Sequence, residues 1–203
     1  MEMLRVKLLL VILFSLWSVG AWAKTILVLG DSISAAYRIP QELGWVNLLR
    51  ERLDTEYPDR YRVVNGSVSG DTTAQGLRRL PALLEAHGPD KVIVELGGND
   101  GLRGLPLDHM RDNLQAIIDL STEAGAEVIL LSVALPASYG AFFTKRYLAV
   151  FDSLAEANDL PRVSLGYDLI DDPGLIQDDG IHPTAEAQPL LLQAVWPALA
   201  PEG

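Results

Sequence analysis

Four short polar segments combine residue types that can carry out acyl transfer. A serine hydroxyl is a weak nucleophile that needs a base, and a histidine held by a carboxylate provides one. Backbone N–H groups and an asparagine amide can stabilise the oxyanion that forms after the attack. The chain supplies these types in Gly30-Asp31-Ser32, Asn65-Gly66-Ser67-Val68-Ser69-Gly70-Asp71, Gly97-Gly98-Asn99-Asp100 and Asp178-Asp179-Gly180-Ile181-His182-Pro183.

Each segment taken alone also has a purely structural interpretation. The aspartate and serine of the first can cap a helix, and the second can be a flexible loop. The asparagine of the third can occupy a glycine-rich turn. No serine of the second segment has glycines both two residues before and two residues after it. The nucleophile elbow of α/β-hydrolases is therefore absent there.

The histidine count narrows the choice of a base. The chain has three histidines, and two of them have ordinary helical positions. His87 precedes Gly88 at a helix end, where an imidazole suits the helix dipole, and His109 lies among charged residues. His182 is thus the candidate base, with Asp179 three residues before it. The acids around it (Asp171, Asp172, Asp178 and Asp179) match no defined ligand pattern, so no metal is predicted.

Short apolar runs predict the strands that must position these segments. Near-continuous apolar runs with glycine close behind are typical of buried parallel strands. Helical patterns lie between them, and such alternation predicts one α/β domain with a parallel sheet. Strands are predicted at 25–29, 62–64, 92–96, 128–133 and 162–165; helices are predicted at 45–57, 73–87 (kinked or restarted at Pro81), 107–124, 142–158 and 184–199 (strained by Pro189 and Pro197).

The polar segments follow these predicted strands, apart from the last, which lies near the end of the chain. Ligands of parallel α/β sheets bind beyond the carboxyl ends of the strands. We therefore expect the four segments to meet at one edge of the sheet.

Composition and the N-terminus exclude several classes of function. The chain has 203 residues, a formal net charge of −11 and no cysteine. It therefore lacks a basic footprint for nucleic acid, and disulfides, thiolate zinc sites and a cysteine nucleophile are excluded. Residues 1–23 have the basic start, apolar run and small-x-small end of a secretory signal peptide. We expect a mature domain at 24–203 that is periplasmic or secreted.

In combination and order, the four segments resemble those of the SGNH (GDSL-type) hydrolases. The stretches LVLGDSISAAY, NGSVSGDTTAQGL, VELGGNDGLRGLP and DGIHP look most like the periplasmic multifunctional thioesterase, lysophospholipase and arylesterase subfamily of Gram-negative bacteria. The resemblance extends from Ile26 to about Leu199, and no motif residue is missing.

The resemblance implies both a fold and a mechanism. The fold is a flavodoxin-like, three-layer domain with a five-stranded parallel sheet, and no cofactor or metal is needed. Ser32 would be the nucleophile, His182 the general base and then general acid, and Asp179 the residue that orients His182. The oxyanion hole would comprise the backbone N–H groups of Ser32 and Gly70 and the side chain of Asn99. Asp31 and Asp100 look like supporting residues.

Two loops at the catalytic edge carry apolar side chains for an acyl group. One follows the oxyanion asparagine and the other follows the fourth strand. The alternative for any one of these side chains is ordinary packing. The expected substrate is a small acyl ester, thioester or lysophospholipid, acted on by a monomer that binds no nucleic acid and does not insert stably into membranes. The predicted groove residues are Leu102, Leu105, Pro136, Tyr139 and Phe142, with Phe143 beside them.

Two other functions remain open at this point. A carbohydrate O-acetyl esterase on the same fold would prefer acetyl groups and a polar pocket. A non-catalytic, flavodoxin-like binding module would need a run of Ser, Thr and Gly after the first strand, and residues 30–33 match this poorly. An ester-hydrolysis profile distinguishes all three.

Overall fold

A computed structural model describes residues 23–165 and 172–199. The predicted leader at 1–23 lies, except for Ala23, outside these ranges. The described chain contains a five-stranded sheet in the order β2-β1-β3-β4-β5 with every neighbouring pair parallel. The strands are β1 (Lys24–Gly30), β2 (Tyr61–Asn65), β3 (Lys91–Glu95), β4 (Glu127–Val133) and β5 (Arg162–Leu165).

The side chains of the three central strands alternate between two apolar layers, which explains why the sequences of β1, β3 and β4 are largely apolar. In β1, Leu27 and Leu29 point to one layer and Ile26 and Val28 to the other. A strand that is buried on both faces gains stability from every side chain, so polar alternation is lost. The predicted three-layer fold with five parallel strands is confirmed.

The helices cover both faces of the sheet. α1 and α6 pack together on one face, while α2, α4 and α5 pack in sequence on the other. Their bounds are α1 (Trp45–Glu56), α2 (Thr73–His87), α3 (Gly98–Leu102), α4 (Leu107–Glu123), α5 (Ala141–Asn158) and α6 (Gln188–Leu199), and short 3-10 helices span Gln41–Leu43, Ala137–Tyr139 and Pro173–Leu175.

The prolines account for two differences from the predicted helices. α2 is continuous from Thr73 to His87, so the helix does not restart at Pro81. The last helix begins at Gln188 rather than Thr184, and Pro189 therefore lies in its first turn. A proline is tolerated there because the N–H groups of the first turn have no helical acceptor. The short helix α3, which carries Asn99, was not predicted.

The strand order places the candidate residues beside one another. A sheet ordered 2-1-3-4-5 reverses its winding between β1 and β3, and ligands bind at that point. Ser32 follows β1 and Asn99 follows β3, so they flank this position. Within 23–165 and 172–199, no helix combines the length and apolar character needed to cross a bilayer.

Gly97 links β3 to the helix that carries Asn99, and its backbone explains why glycine is required. Its φ is +110°, a region that side-chain-bearing residues rarely adopt. A Cβ built at Gly97 would lie 2.9 Å from Phe151 Cζ and 3.2 Å from Met110 Sδ. Both neighbours belong to the buried core, so neither can move away freely.

We predict that Gly97→Ala lowers the free energy of unfolding by about 3 kcal/mol, because strain and overpacking add. Gly125→Ala is the matched control, since Gly125 has φ +86° but nothing within 4 Å of the position that a Cβ would take. The control should lose only about 1 kcal/mol, from strain alone. Urea unfolding measures both. Equal losses in the two variants would contradict the packing argument.

Candidate active site

Ser32, His182 and Asp179 form a continuous chain of hydrogen bonds. Ser32 Oγ lies 2.8 Å from His182 Nε2, and His182 Nδ1 lies 2.8 Å from Asp179 Oδ2. An ionised carboxylate only accepts hydrogen bonds, so Nδ1 carries the proton. The unprotonated Nε2 can then accept the proton of the serine hydroxyl. The structure thus brings together three of the predicted residues in the geometry of a nucleophile, a base and an orienting acid.

Asp179 is held in its charged form by the turn in which it lies. Partial burial by itself would raise its pKa. Hydrogen bonds from the backbone and ring of His182 and from the backbone of Ile181 outweigh this effect and lower the pKa of Asp179 to about 2. The carboxylate therefore stays ionised through the pH range in which the histidine must accept a proton.

Gln177 joins the histidine segment to the serine segment. Its side-chain amide donates to the carbonyl oxygens of Tyr37 and Pro183, both at 2.9 Å. Its backbone N–H donates to the carbonyl of His182 at 2.7 Å. The ring of Tyr37 lies 4.4 Å from the His182 ring, measured between centroids. These contacts fix the position of the imidazole relative to the turn that carries Ser32.

The Asn99 side chain connects the turn before Ser32 to the loop that carries Gly70. Its Nδ2 donates to Asp31 Oδ2 at 2.9 Å and to the carbonyl oxygen of Asp71 at 3.1 Å. An amide nitrogen has two hydrogens, and both are engaged here. The Asn99 amide thus binds the residues next to Ser32 and next to Gly70, the other two predicted oxyanion donors, and it would have to share or exchange a hydrogen bond to reach an oxyanion.

Arg79 binds both ends of the Gly70 loop, which extends from Gly66 to Asp71. Its Nε and Nη2 both donate to Asp71 Oδ2, at 2.8 and 2.6 Å, and its Nη1 donates to the carbonyl of Gly66 at 2.7 Å. The planar guanidinium makes these bonds in a fixed geometry. Between the clamped ends, Gly70 adopts φ +85°, and its carbonyl accepts from Arg103 Nη2 at 2.8 Å.

Asp100 supports the same loop from the other side. Its carboxylate accepts from the backbone N–H and from the hydroxyl of Thr73, at 2.8 and 2.7 Å. Thr73 is the first residue of α2 and also accepts from Asn113. Asp100 is 3% exposed, so it acts through buried hydrogen bonds rather than by contact with solvent or substrate. The structure thus places Asp100, which was predicted as a supporting residue, against the first residue of α2.

Two buried acids, Asp31 and Glu95, lie close to the turn that carries Ser32. Asp31 accepts from the backbone N–H of Ile33 and from Asn99, and Glu95 accepts from the Ser34 hydroxyl at 2.8 Å. Burial raises the pKa of Asp31 to about 6, although both of its hydrogen bonds act to lower it. Burial, reinforced by repulsion from Asp31, raises the pKa of Glu95 well above its ordinary value.

The predicted groove residues lie on two loops that touch each other. Tyr139 Oη donates to the carbonyl of Leu102 at 2.8 Å. Leu102 and Phe143 are half-buried and pack against the core, whereas Phe142 is 79% exposed. Leu105 and Tyr139 are also exposed, and Pro136 is half-buried. The loops thus present an open apolar surface, not an enclosed pocket lined equally by all the predicted side chains.

Several residues of the site were not singled out from the sequence. Glu95 had a visible signal, because it is the one acid inside the apolar run of β3. Arg79, Gln177 and Tyr37 had no comparable signal, since their partners are backbone atoms or residues distant in the chain. In the described ranges, no cluster of three or more His, Asp or Glu side chains is arranged to hold a metal ion.

The sheet order and the serine–histidine–aspartate chain define the class of SGNH-type hydrolases. The profile of the GDSL-like Lipase/Acylhydrolase family matches residues 28–189. The chain belongs to this family. The predicted family and the predicted class, a carboxylic ester hydrolase, are confirmed at this level.

The similarity to known proteins covers nearly the whole chain. Esterase TesA of Pseudomonas aeruginosa is 46% identical over 182 residues, which are 89% of this chain and 90% of that protein. Thioesterase 1/protease 1/lysophospholipase L1 of Escherichia coli K12 is 42% identical, over 88% of this chain and 84% of its own length. A crystal structure of TesA superposes with a TM-score of 0.83 at 44% identity, covering 88% of this chain and 99% of that one.

Glu95→Gln should change how stability depends on pH. The unfolded chain releases the Glu95 proton near pH 4.5, whereas the native state retains it to a higher pH. The native state therefore binds more protons over this interval, so its free energy of unfolding falls as pH rises. Glutamine cannot ionise, so the free energy of unfolding of the variant should fall less steeply as pH rises.

Urea unfolding at pH 4, 5, 6, 7 and 8 measures the effect. Relative to wild type, Glu95→Gln should gain stability progressively as pH rises. Glu85→Gln removes an exposed carboxylate on α2 and controls for net charge. Parallel pH dependences for wild type and Glu95→Gln would contradict the raised pKa.

Proposed function

We propose that this chain is a serine ester hydrolase that cleaves acyl esters and thioesters through Ser32, His182 and Asp179. The observation that carries the proposal is the hydrogen-bond chain from Ser32 Oγ through the imidazole to Asp179. The names of the similar proteins, an esterase and a thioesterase/lysophospholipase, support the same reaction class.

In the acylation step, His182 Nε2 removes the hydroxyl proton as Ser32 Oγ attacks the acyl carbonyl. The imidazolium that forms is stabilised by the Asp179 carboxylate, which stays charged because its pKa is low. The carbonyl π electrons move to oxygen and form an oxyanion. When the tetrahedral intermediate collapses, the leaving oxygen or sulfur takes the proton from Nε2, and the acyl group remains on Ser32.

The oxyanion is held by the backbone N–H groups of Ser32 and Gly70 and by the Asn99 amide. To donate, Asn99 must weaken its bond to the Asp71 carbonyl, since Asp31 accepts the other hydrogen. The Asp31 bond keeps the amide in place during this exchange. One such donor is typically worth about 3–4 kcal/mol of transition-state stabilisation.

Deacylation repeats the same proton transfers with water. His182 removes a proton from a water molecule, which attacks the acyl-enzyme carbonyl. The same donors hold the second oxyanion. Collapse returns the proton to Ser32 Oγ and releases the carboxylic acid, so neither a metal nor a cofactor takes part.

The acyl chain would lie against the open apolar surface formed by the loops after β3 and β4. Phe142 is 79% exposed, and Leu105 and Tyr139 are each 37% exposed. Burying such side chains against an acyl chain yields roughly 25 cal/mol per Å² of apolar area. A surface of this kind favours medium or longer acyl groups over acetyl. Leu102 and Pro136 would complete it.

The protein would act outside the cytoplasm, as a monomer. The signal-peptide pattern of residues 1–23 supports export and cleavage near Ala23. A net charge of −11 disfavours lasting contact with anionic bilayers and with nucleic acid. Soluble acyl esters and lysophospholipids are therefore the substrates expected, with membranes visited only briefly.

Ser32→Ala should abolish ester hydrolysis while leaving the fold intact. The purified chain from Lys24 onward is assayed with p-nitrophenyl esters from acetyl to palmitoyl, and circular dichroism checks folding. Ser69→Ala is the matched control, because Ser69 lies in the neighbouring exposed loop and should keep wild-type activity.

The acyl profile then identifies the substrate class. A maximum at medium chain length supports the acyl surface, whereas a sharp acetyl optimum indicates a carbohydrate O-acetyl esterase. Activity that survives in Ser32→Ala would disprove the assigned nucleophile. Complete inactivity of the wild type toward every ester would favour a binding module.

Arg79→Gln should lower kcat about tenfold with little change in KM, because the Gly70 N–H then loses its fixed position but is not removed. Arg78→Gln is the matched control, since the neighbouring Arg78 is exposed. Affinity for a trifluoromethyl ketone, which forms an oxyanion with Ser32, should fall in parallel with kcat. A change in thermal stability alone would contradict this positioning effect.

A further inference from the structure

A small polar cavity lies beside the turn that carries Ser32, and the mechanism above does not use it. Its volume is about 190 Å³, which suits one small group rather than a whole substrate. It lies between the turn after β1, the start of α1 and the loop after β2, and its lining includes Gly44, Val46, Asn47, Arg50 and Ser67. These described lining residues include one arginine and no acid, in a chain whose net charge is −11.

The arginine in this cavity has unused capacity for an anion. Arg50 is half-buried, and Nη1 donates to Asn47 Oδ1 at 2.6 Å. Within the described ranges it forms no ion pair, in contrast to Arg52 on the same helix, which pairs with Glu56. A guanidinium whose remaining N–H groups have no acceptor provides a fork that fits a carboxylate or a phosphate.

Other groups around the cavity can donate to the same anion. Ser67 Oγ is buried and has no hydrogen-bond partner in the described part of the chain. It can therefore turn toward the cavity without losing a hydrogen bond. Gly44 and Val46 border the cavity at the start of the 12-residue helix α1, where the Trp45 N–H is already bound by the Gln188 side chain. Helix starts favour negative charge.

The strand order places this cavity on the opposite side of Ser32 from the acyl surface. The cavity is lined by residues that follow β1 and β2, whereas the acyl surface is formed by loops that follow β3 and β4. An ester bound across Ser32 with its acyl chain toward β3 and β4 directs its alcohol portion toward β2. The cavity is therefore on the leaving-group side.

From this arrangement we infer that the Arg50 cavity binds a carboxylate or phosphate group carried by the leaving alcohol of the substrate. The inference rests on the proposed function and narrows its substrate class to esters with an anionic leaving group. Free phosphate has the same chemistry as such a group, and the experiment below separates the two sources.

The test compares two octanoyl esters that differ in one charge, 4-octanoyloxybenzoate and its methyl ester. Arg50→Gln should lower kcat/KM for the anionic ester about tenfold or more and leave the neutral methyl ester unchanged, because one charge-assisted contact is lost. Arg52→Gln, two residues along α1, controls for the loss of positive charge. Equal effects of Arg50→Gln on both esters, or none on either, would overturn the inference.

A second measurement does not depend on catalysis. Inorganic phosphate should raise the melting temperature of wild type but not of Arg50→Gln, and it should inhibit hydrolysis of the anionic ester competitively. Stabilisation by phosphate without any preference for the anionic ester would overturn the leaving-group assignment in favour of a free anion. If wild type failed to hydrolyse the neutral ester, the proposed function itself would fail, independently of the phosphate result.

Discussion

The buried carboxylate of Asp31 is the contact on which the site depends. Asp31 lies between the ends of β1 and β3, where the sheet reverses its winding. Its carboxylate accepts one hydrogen bond from the turn that carries Ser32 and another from Asn99. Without this acceptor Ser32 and the Asn99 amide would be attached to separate strands with no direct link. A parallel sheet aligns the strand ends, but side-chain hydrogen bonds fix the distances between groups that react.

This arrangement has a cost in stability. Asp31 and Glu95 are both buried with raised pKa values, and the Oε1 atom of Glu95 has no partner among the described residues. Such groups reduce the stability of the folded state as pH rises, and an apolar pair would pack better. Active sites commonly retain unfavourable local features because catalysis requires a particular polar geometry. The apolar layers on both faces of the sheet offset the loss.

The sequence predicted the sheet well, and it singled out residues that the structure joins in one chain of hydrogen bonds. The central strands were evident because burial on both faces leaves almost no polar residue in them, and β5 was predicted with its observed bounds. His182 was singled out because the other two histidines have ordinary helical positions, whereas Ser32 was assigned through the resemblance of the four segments to a family. Arg79 and the cavity around Arg50 were not predictable, since they depend on which backbone carbonyls and loops come together after folding. The start of α6 was misplaced because Pro189 was treated as a strain instead of a first-turn residue.

The separation between Ser32 and His182 has a consequence for biosynthesis. The two residues are 150 positions apart, and the Gln177 contacts that hold the imidazole are formed by the last part of the chain. A ribosome therefore makes Ser32 early and His182 late. Until residues 172–199 have been synthesised and α6 has packed against α1, Ser32 has no histidine to bind. The hydrogen-bond chain from Ser32 to Asp179 can therefore form only after this segment has folded onto the earlier part of the chain.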